Sequence, residues 1–78
     1  MKVLLYGRLA EAIGPNVELA VGAGCSVGEV RSRLAVGHPA AADALRRSRV
    51  FLGQSFVRDE QLVSEVDQIE FLPPVSGG

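Results

Sequence analysis

The sequence has little of what most enzymes depend on. It contains one histidine, one cysteine and no tryptophan, and aromatic residues make up only 5% of its 78 residues. One histidine severely limits acid–base catalysis, and the sequence has no Ser-His-Asp arrangement, phosphate-binding loop or paired-carboxylate signature. We therefore expect that the chain is not a catalyst on its own.

Other absences bear on where the protein works. One cysteine cannot form an internal disulfide, which agrees with a reducing compartment. No run approaches the ~18 consecutive apolar residues of a membrane span. The opening MKVLLYGRLA also lacks the full hydrophobic region and cleavage site of a signal peptide. These features predict a cytoplasmic protein with no membrane partner.

Basic residues are absent from the last part of the chain. Residues 1–58 carry all eight basic residues and four acids, whereas residues 59–78 carry five acids and no base. The net charge of −1 therefore combines a basic first part with an acidic last part. The acidic part would repel nucleic acid, and we expect it to steer docking onto a basic partner.

What is present suits one small domain with a single core, since 47% of the residues are apolar. Short β-rich or alternating runs predict strands. These runs are 3–6, 17–21, 50–57 with a turn or bulge at Gly53, a short 62–63, and Gln68–Leu72. A short helical turn is predicted at 9–13 and a short helix at 39–46, where Pro39 suits the first helical position.

One longer helix has a clear start signal. Ser26-Val27-Gly28-Glu29 matches a capping box, in which the serine oxygen accepts from the third helical amide. Val27, Val30 and Leu34 then recur at helical spacing and predict the buried face of this helix. Gly37 supplies a stop. The coarse order is β-β-α-β-β, which predicts an α+β domain with a sheet packed on one main helix.

The most distinctive stretch is the tail, FLPPVSGG. Pro73 and Pro74 fix φ near −65°, so a strand that leads into them must stop pairing and continue as a stiff extended segment. Gly77 and Gly78 lack Cβ atoms and fit a channel too narrow for side chains. At roughly 3.3 Å per residue, residues 75–78 reach about 13 Å from the domain. We divide the chain into a domain, 1–72, and a flexible tail, 73–78.

This tail resembles that of the MoaD family, the ubiquitin-like small subunit of molybdopterin synthase. Members typically end in an aromatic or aliphatic pair, two prolines, a valine, a small residue and Gly-Gly, as Phe71 to Gly78 do here. The chain length and the helix placement fit as well. The resemblance implies a β-grasp fold with a mixed sheet whose last strand lies in the middle.

The resemblance also implies a chemistry for the tail. An ATP-dependent, ubiquitin-activating-like enzyme (MoeB-like) would adenylate the Gly78 carboxylate, and sulfur from a donor would then replace AMP. The resulting thiocarboxylate would enter the large catalytic subunit of molybdopterin synthase (MoaE-like), in an expected heterotetramer, and give its sulfur to the pterin precursor. No cofactor or metal is expected on this chain, because only the activating enzyme uses ATP.

The implied roles divide between the reactive group and the contacts that guide it. Gly78 carries the sulfur. The expected partner-binding residues are Phe71, Leu72, Pro73, Pro74, Val75, Ser76 and Gly77. Within this set the prolines set the exit direction, and Phe71 and Leu72 anchor the base of the tail or contact the partner.

Three other functions remain open on sequence alone. A sulfur carrier for thiamine thiazole synthesis is the runner-up, since such proteins usually end in Gly-Gly without the two prolines. A ubiquitin-like modifier would attach Gly78 to target lysines. A plain interaction domain would have an inert tail.

The remaining candidate sites are weaker. Cys25 precedes a helix N-terminus, where a thiol gains reactivity, but without a histidine or a second cysteine we interpret it as a structural thiol. His38 precedes a proline and lacks other metal ligands, so it is expected at the surface. Arg46, Arg47 and Arg49 form a basic cluster suited to phosphate or a partner's acids, although such a run is usually a solvated helix end.

Overall fold

The computed structural model describes residues 1–74. Its elements, in chain order, are β1 (Lys2–Leu5), α1 (Gly7–Ile13), β2 (Asn16–Glu18), α2 (Val27–Gly37), a 3₁₀ turn (Pro39–Ala41), α3 (Ala42–Arg47), β3 (Arg49–Leu52), β4 (Ser55–Val57) and β5 (Gln68–Leu72). No helix in this range combines the length and the apolar character needed to cross a membrane.

The last strand lies in the middle of a mixed sheet with the order β2-β1-β5-β3-β4. β5 runs parallel to β1, with Phe71 beside Leu5, and antiparallel to β3, with Phe71 beside Val50. Both edges of β5 are therefore paired, and the strand that leads into the tail is held on two sides. The central position implied by the family resemblance is confirmed.

The core lies on one side of this sheet. Alternate strand residues point to it and are fully buried, among them Val3, Val50 and Ile69. Val27, Val30 and Leu34 of α2 are buried in the same cluster, as the helical spacing predicted. The predicted α+β architecture, a sheet packed on one main helix, is confirmed.

The start of α2 matches the capping-box prediction. Ser26 is the N-cap, and its Oγ accepts a hydrogen bond from the Glu29 N–H at 3.2 Å. The first two helical amides also have hydrogen-bond acceptors, because Val27 N–H donates to the Gln61 carbonyl at 2.9 Å and Gly28 N–H donates to the Asp59 carbonyl at 3.0 Å. Residues 59–61 therefore close the N-terminus of the main helix.

Replacing the cap tests its contribution. Ser26→Ala removes the acceptor for one helix-terminal N–H and is expected to cost about 1 kcal/mol of unfolding free energy. Ser32→Ala, an exposed position on the same helix, is the matched control. Urea denaturation of both variants checks the difference, and equal midpoints for the two would contradict a role for the cap.

The predicted strand at 17–21 is shorter than expected, since β2 ends at Glu18. β2 is an edge strand that pairs only with β1, and the register places Glu18 opposite Lys2, near the start of the chain. β1 itself begins at Lys2, and just outside it the Met1 carbonyl accepts from the Leu19 N–H at 2.9 Å. The partner strand, and not local propensity, sets the length of β2.

The prediction at 50–57 is right about a turn at Gly53 but wrong in counting a single strand. Two antiparallel strands, β3 and β4, form a hairpin there, with Leu52 opposite Ser55. Gly53 in the connecting turn has φ +65°, a conformation that glycine adopts without the steric cost of a Cβ. The predicted strand at 62–63 is also reduced, to a single bridge between Leu62 and Ser26. The backbone at Leu62 runs beside the start of α2 and does not add a strand to the sheet.

The helical predictions need small changes. α1 begins at Gly7, two residues before the predicted turn, and the segment from Pro39 starts as a 3₁₀ turn before it continues as α3 to Arg47. A proline at the first position fits either kind of helix, since its missing N–H would have no helical partner.

Glu65 ties the turn before β5 to the first strand pair. Its carboxylate accepts from the Val21 N–H and lies 3.5 Å from the amino group of Met1. The Val21 hydrogen bond, together with the positive amino group, holds the pKa of the Glu65 carboxyl below its usual value. The charged form is therefore favoured by the fold.

This shift predicts a pH dependence of stability. A carboxyl whose pKa is lower in the folded state stabilises the fold above its unfolded pKa, and the contribution is lost as the pH falls through the folded pKa. Glu65→Gln should therefore be less stable than the parent at pH 7, and the difference should disappear as the pH falls through the lowered pKa of the folded state. Thermal unfolding across this range checks it, and a constant difference in melting temperature would contradict the assignment.

Candidate functional site

The tail leaves the domain from the end of the central strand. Phe71 is fully buried, whereas the next residue, Leu72, is 37% exposed on the opposite face of the sheet. The guanidinium of Arg31 lies over the Phe71 ring at 5.5 Å from its centroid. Phe71 therefore anchors the base of the tail, and its assignment as a partner contact is corrected, because its side chain has no surface to offer. Leu72 keeps that role as an expectation.

A glycine receives the first proline of the tail. A Cβ built on Gly7 would lie 3.0 Å from Pro73 Cγ, and the φ of Gly7 is +55°. Any side chain at position 7 would press on Pro73 and would also strain the backbone. Gly7 therefore lets the tail start close to the N-terminus of α1. Pro73 and Pro74 are both half-buried.

Val75, Ser76, Gly77 and Gly78 lie outside the described residues, so their expected roles stay predictions. The same holds for the flexible tail at 73–78 as a unit. The description of the site therefore rests on the surface around the base of the tail.

An apolar strip covers the face of the sheet away from the core. It consists of Tyr6, Phe51, Phe56 and Leu72. Phe56 is 57% exposed and Tyr6 is 41% exposed, and the Phe51 and Phe56 rings meet edge to face with centroids 6.0 Å apart. Exposed aromatic residues grouped in this way mark interaction surfaces. The strip ends at Leu72, where the tail begins.

A hydrogen bond crosses this strip. The Tyr6 hydroxyl donates to the Glu70 carboxylate, and this bond raises the pKa of the Tyr6 phenol. Glu70 lies between Leu4 of β1 and Phe51 of β3 in the register of the sheet. The bond fixes the Tyr6 ring beside the end of β5 and leaves an apolar ring face exposed.

Sequence reasoning missed the apolar strip as a surface. Its members come from β3, β4, β5 and the residue after β1, so no local pattern contains them. One signal was available: Leu72 follows Phe71 directly, so alternation must place one of the two side chains on the face away from the core.

The other predicted candidates lie apart from the tail chemistry. Cys25 is buried and its Sγ lies 3.6 Å from the Ser26 carbonyl oxygen, as a structural thiol would be. His38 is half-buried and caps α2 with its backbone N–H on the Leu34 carbonyl, so its expected position at the surface is only partly right. Within residues 1–74, no cluster of three or more histidine, cysteine or acidic side chains is suited to a metal ion.

Two of the three arginines of the basic cluster form ion pairs within the chain. Arg46 donates to the Asp43 carboxylate, and Arg47 Nε lies 3.4 Å from its other oxygen. These contacts, the Arg46 hydrogen bond first, lower the pKa of Asp43. Arg49, in contrast, lies on β3 opposite Leu72 and is exposed.

Three of the five acids in the last part of the chain are held by a basic side chain or lie away from the tail, whereas Glu70 lies on β5, two residues before Leu72. Asp59 is engaged by Arg31, with Nη2 and Oδ1 2.9 Å apart. Glu65 and Asp67 precede the start of β5, which is the end of the strand away from the tail. The five residues of β5 separate Asp67 from Pro73 by roughly 16 Å or more at the usual strand rise. These acids are therefore poorly placed to steer docking at the tail.

With this geometry, comparison with known proteins identifies the family. The ThiS family profile matches residues 3–78, nearly the whole chain and all of the tail. The chain belongs to the ThiS family. The MoaD resemblance of the tail is confirmed at the level of the wider ThiS/MoaD family, whose members are sulfur carriers.

Two relatives that share one name are similar to this chain over its whole length. The chain is 30% identical to a molybdopterin synthase sulfur carrier subunit of Chlamydomonas reinhardtii, across 100% of this chain and 98% of that one. It is 27% identical to a protein of the same name from Arabidopsis thaliana, across 100% of this chain and 82% of the relative.

A solved structure supports the β-grasp assignment. The crystal structure of SAMP1 from Haloferax volcanii superposes with a TM-score of 0.80 at 25% identity, covering 99% of this chain and 97% of the other. The ThiS/MoaD member described here thus has the ubiquitin-like β-grasp fold that the resemblance implied.

Proposed function

We propose that this protein is the sulfur-carrying small subunit of molybdopterin synthase. The observation that carries the proposal is the full-length similarity to a molybdopterin synthase sulfur carrier subunit, which covers 98% of that relative. The site agrees with this function: a strand paired on both edges holds the base of the Pro-Pro-Val-Ser-Gly-Gly tail, beside an apolar strip.

The first chemical step is activation. A terminal carboxylate has a pKa of about 3.3 to 3.7 and is ionised at pH 7, which makes it a poor electrophile. An ATP-dependent activating enzyme joins AMP to the Gly78 carboxylate and releases pyrophosphate. Sulfur from a donor then displaces AMP and leaves a thiocarboxylate. This chemistry needs ATP, in keeping with a cytoplasmic location.

The second step is transfer. The thiocarboxylate sulfur is a soft nucleophile, and in the large subunit it attacks an electrophilic carbon of the pterin precursor, so that a C–S bond forms as a C–O bond of the precursor breaks. Hydrolysis of the resulting acyl link restores the Gly78 carboxylate, and a second thiocarboxylate supplies the other sulfur of the dithiolene. The small subunit contributes reach and position, while the large subunit and the activating enzyme supply the catalytic groups.

Docking occurs through the apolar strip, which ends where the tail begins. Leu72 belongs to both, so a protein that takes the tail into a pocket meets Phe51 and Phe56 at the same time. The paired edges of β5 keep Leu72 in place as the tail is drawn in.

Intact-mass spectrometry of the protein purified from its own host tests the carrier role. A gain of about 16 Da, the difference between oxygen and sulfur, marks the thiocarboxylate. Addition of the large subunit and the pterin precursor should then remove this gain as molybdopterin forms. A thiocarboxylate that the large subunit leaves unchanged would instead favour the thiamine thiazole pathway.

A ubiquitin-like modifier is the second candidate, and one observation favours it. SAMP1 of Haloferax volcanii shares the fold across nearly the whole chain, and a Methanosarcina acetivorans protein of 28% identity is named small archaeal modifier protein 1. A modifier would appear in the same mass experiment as a series of larger conjugates joined through Gly78 to target lysines.

A further inference from the structure

Arg49 occupies a particular place beside the base of the tail. It is the first residue of β3, directly opposite Leu72, the last residue of β5. Phe51 lies two residues farther along β3, so Arg49 and the apolar strip share one face of the sheet. A protein that docks on the strip to receive the tail therefore meets Arg49 at the edge of the contact.

Arg49 forms no ion pair within the described part of the chain. No carboxylate in residues 1–74 lies within 4.0 Å of its guanidinium, whereas Arg46 and Arg47 share Asp43. Glu70, on the same face, accepts a hydrogen bond from the Tyr6 hydroxyl, which lies on the β1 side of Glu70. Within residues 1–74, Arg49 thus presents an unpaired positive charge next to Leu72.

Neighbouring residues add to this positive charge. Arg58 follows β4 directly and is exposed, and Val57 before it pairs with Val50 after Arg49, so both arginines lie at the same end of the sheet. Arg8 follows Gly7, the residue that Pro73 contacts. Arg49, Arg58 and Arg8 therefore place positive charge beside the base of the tail, where Glu70 is an acid on the same face.

We propose that the protein which takes the tail carries carboxylate side chains on the rim of its pocket, and that Arg49 pairs with them. This inference rests on the proposed function and adds the chemistry of the partner: an apolar patch for the strip, with acidic residues at its edge beside the tail entrance. Arginine is suited to this role, because its planar guanidinium binds a carboxylate through two parallel hydrogen bonds.

Charge at such a rim acts on association and specificity. Opposite charges speed the encounter, and like charges brought together at an interface are strongly unfavourable. Arg49→Glu should therefore weaken binding about tenfold or more at low salt. The effect should shrink as salt is added, because the Debye length falls to about 3 Å at 1 M.

The experiment measures binding of the purified large subunit of molybdopterin synthase, encoded in the same genome, by surface plasmon resonance at several salt concentrations. The variants are Arg49→Glu and Arg49→Lys, and circular dichroism confirms that each is folded. Lys2→Glu is the matched control: Lys2 is exposed and on the same face, but it pairs with Gln68 at the other end of β5. For Arg49→Glu we expect a loss of affinity that depends on salt. For Arg49→Lys, which keeps the charge, we expect an association rate close to that of the parent. For Lys2→Glu we expect the affinity to change less than twofold.

Two results would overturn the inference while the proposed function stands. One is parent-like binding by Arg49→Glu; the other is an equal loss with Lys2→Glu, which would show that only the overall charge matters. If the parent itself fails to bind the large subunit, the proposed function is wrong and the inference falls with it.

Discussion

Removal of Gly78, or addition of one alanine after it, is expected to abolish sulfur transfer. Only a terminal carboxylate can be adenylated and converted to a thiocarboxylate, and its position in the partner's pocket depends on the length of the tail. A shorter tail withdraws the carboxylate by about 3.3 Å, a distance at which a reacting group no longer meets its target. In a reconstituted assay with the activating enzyme and the large subunit, molybdopterin formation should fall below detection.

Folding should be unaffected by these changes. β5 ends at Leu72, and the core residues all belong to the domain that precedes the tail. The melting temperature is therefore expected to match the parent. Gly37→Ala is the matched control, since a Cβ at that position meets nothing within 4 Å; it should transfer sulfur as the parent does. Molybdopterin formation by the extended chain would defeat the carrier mechanism.

The features that sequence predicted well are those set by residues close together in the chain. Ser26 and Glu29 are three positions apart, and their hydrogen bond needs no tertiary partner. The alternation in Gln68–Leu72 and the stop imposed by Pro73 are likewise local. The family resemblance added the central position of β5, which local pattern does not contain.

The features that sequence missed depend on pairing between distant segments. Arg49 lies beside Leu72 only because β3 and β5 pair in one particular register. Asp59 belongs to the acidic last part of the chain that was expected to steer docking, yet it is held by Arg31 of α2. The turn at Gly53 was predicted, but the apolar segments on its two sides read as one strand, because Gly-Gln is a weaker hairpin signal than Asn-Gly or Asp-Gly.

Replacing a buried and an exposed phenylalanine distinguishes an effect on stability from an effect on binding. Replacing the buried one should have the largest effect on the fold. Phe71 is fully buried on the central strand, between Leu5 and Val50 and under the Arg31 guanidinium. Phe71→Ala leaves a cavity there and should cost about 3 to 5 kcal/mol of unfolding free energy. A chain of this size has a total of roughly 4 to 12 kcal/mol, so the variant should lose about a quarter of its stability or more and melt well below the parent.

Phe56→Ala is the matched control, because the same atoms are removed from a side chain that is 57% exposed on the apolar strip. It loses the edge-to-face contact with Phe51, which contributes about 0.5 to 1.5 kcal/mol, and so it should stay folded. Its binding to the large subunit should nevertheless weaken, since Phe56 belongs to the proposed docking surface. Chemical denaturation and calorimetry on both variants test the pair. Equal stability losses would contradict the burial of Phe71, and unchanged binding by folded Phe56→Ala would show that the partner does not use the apolar strip.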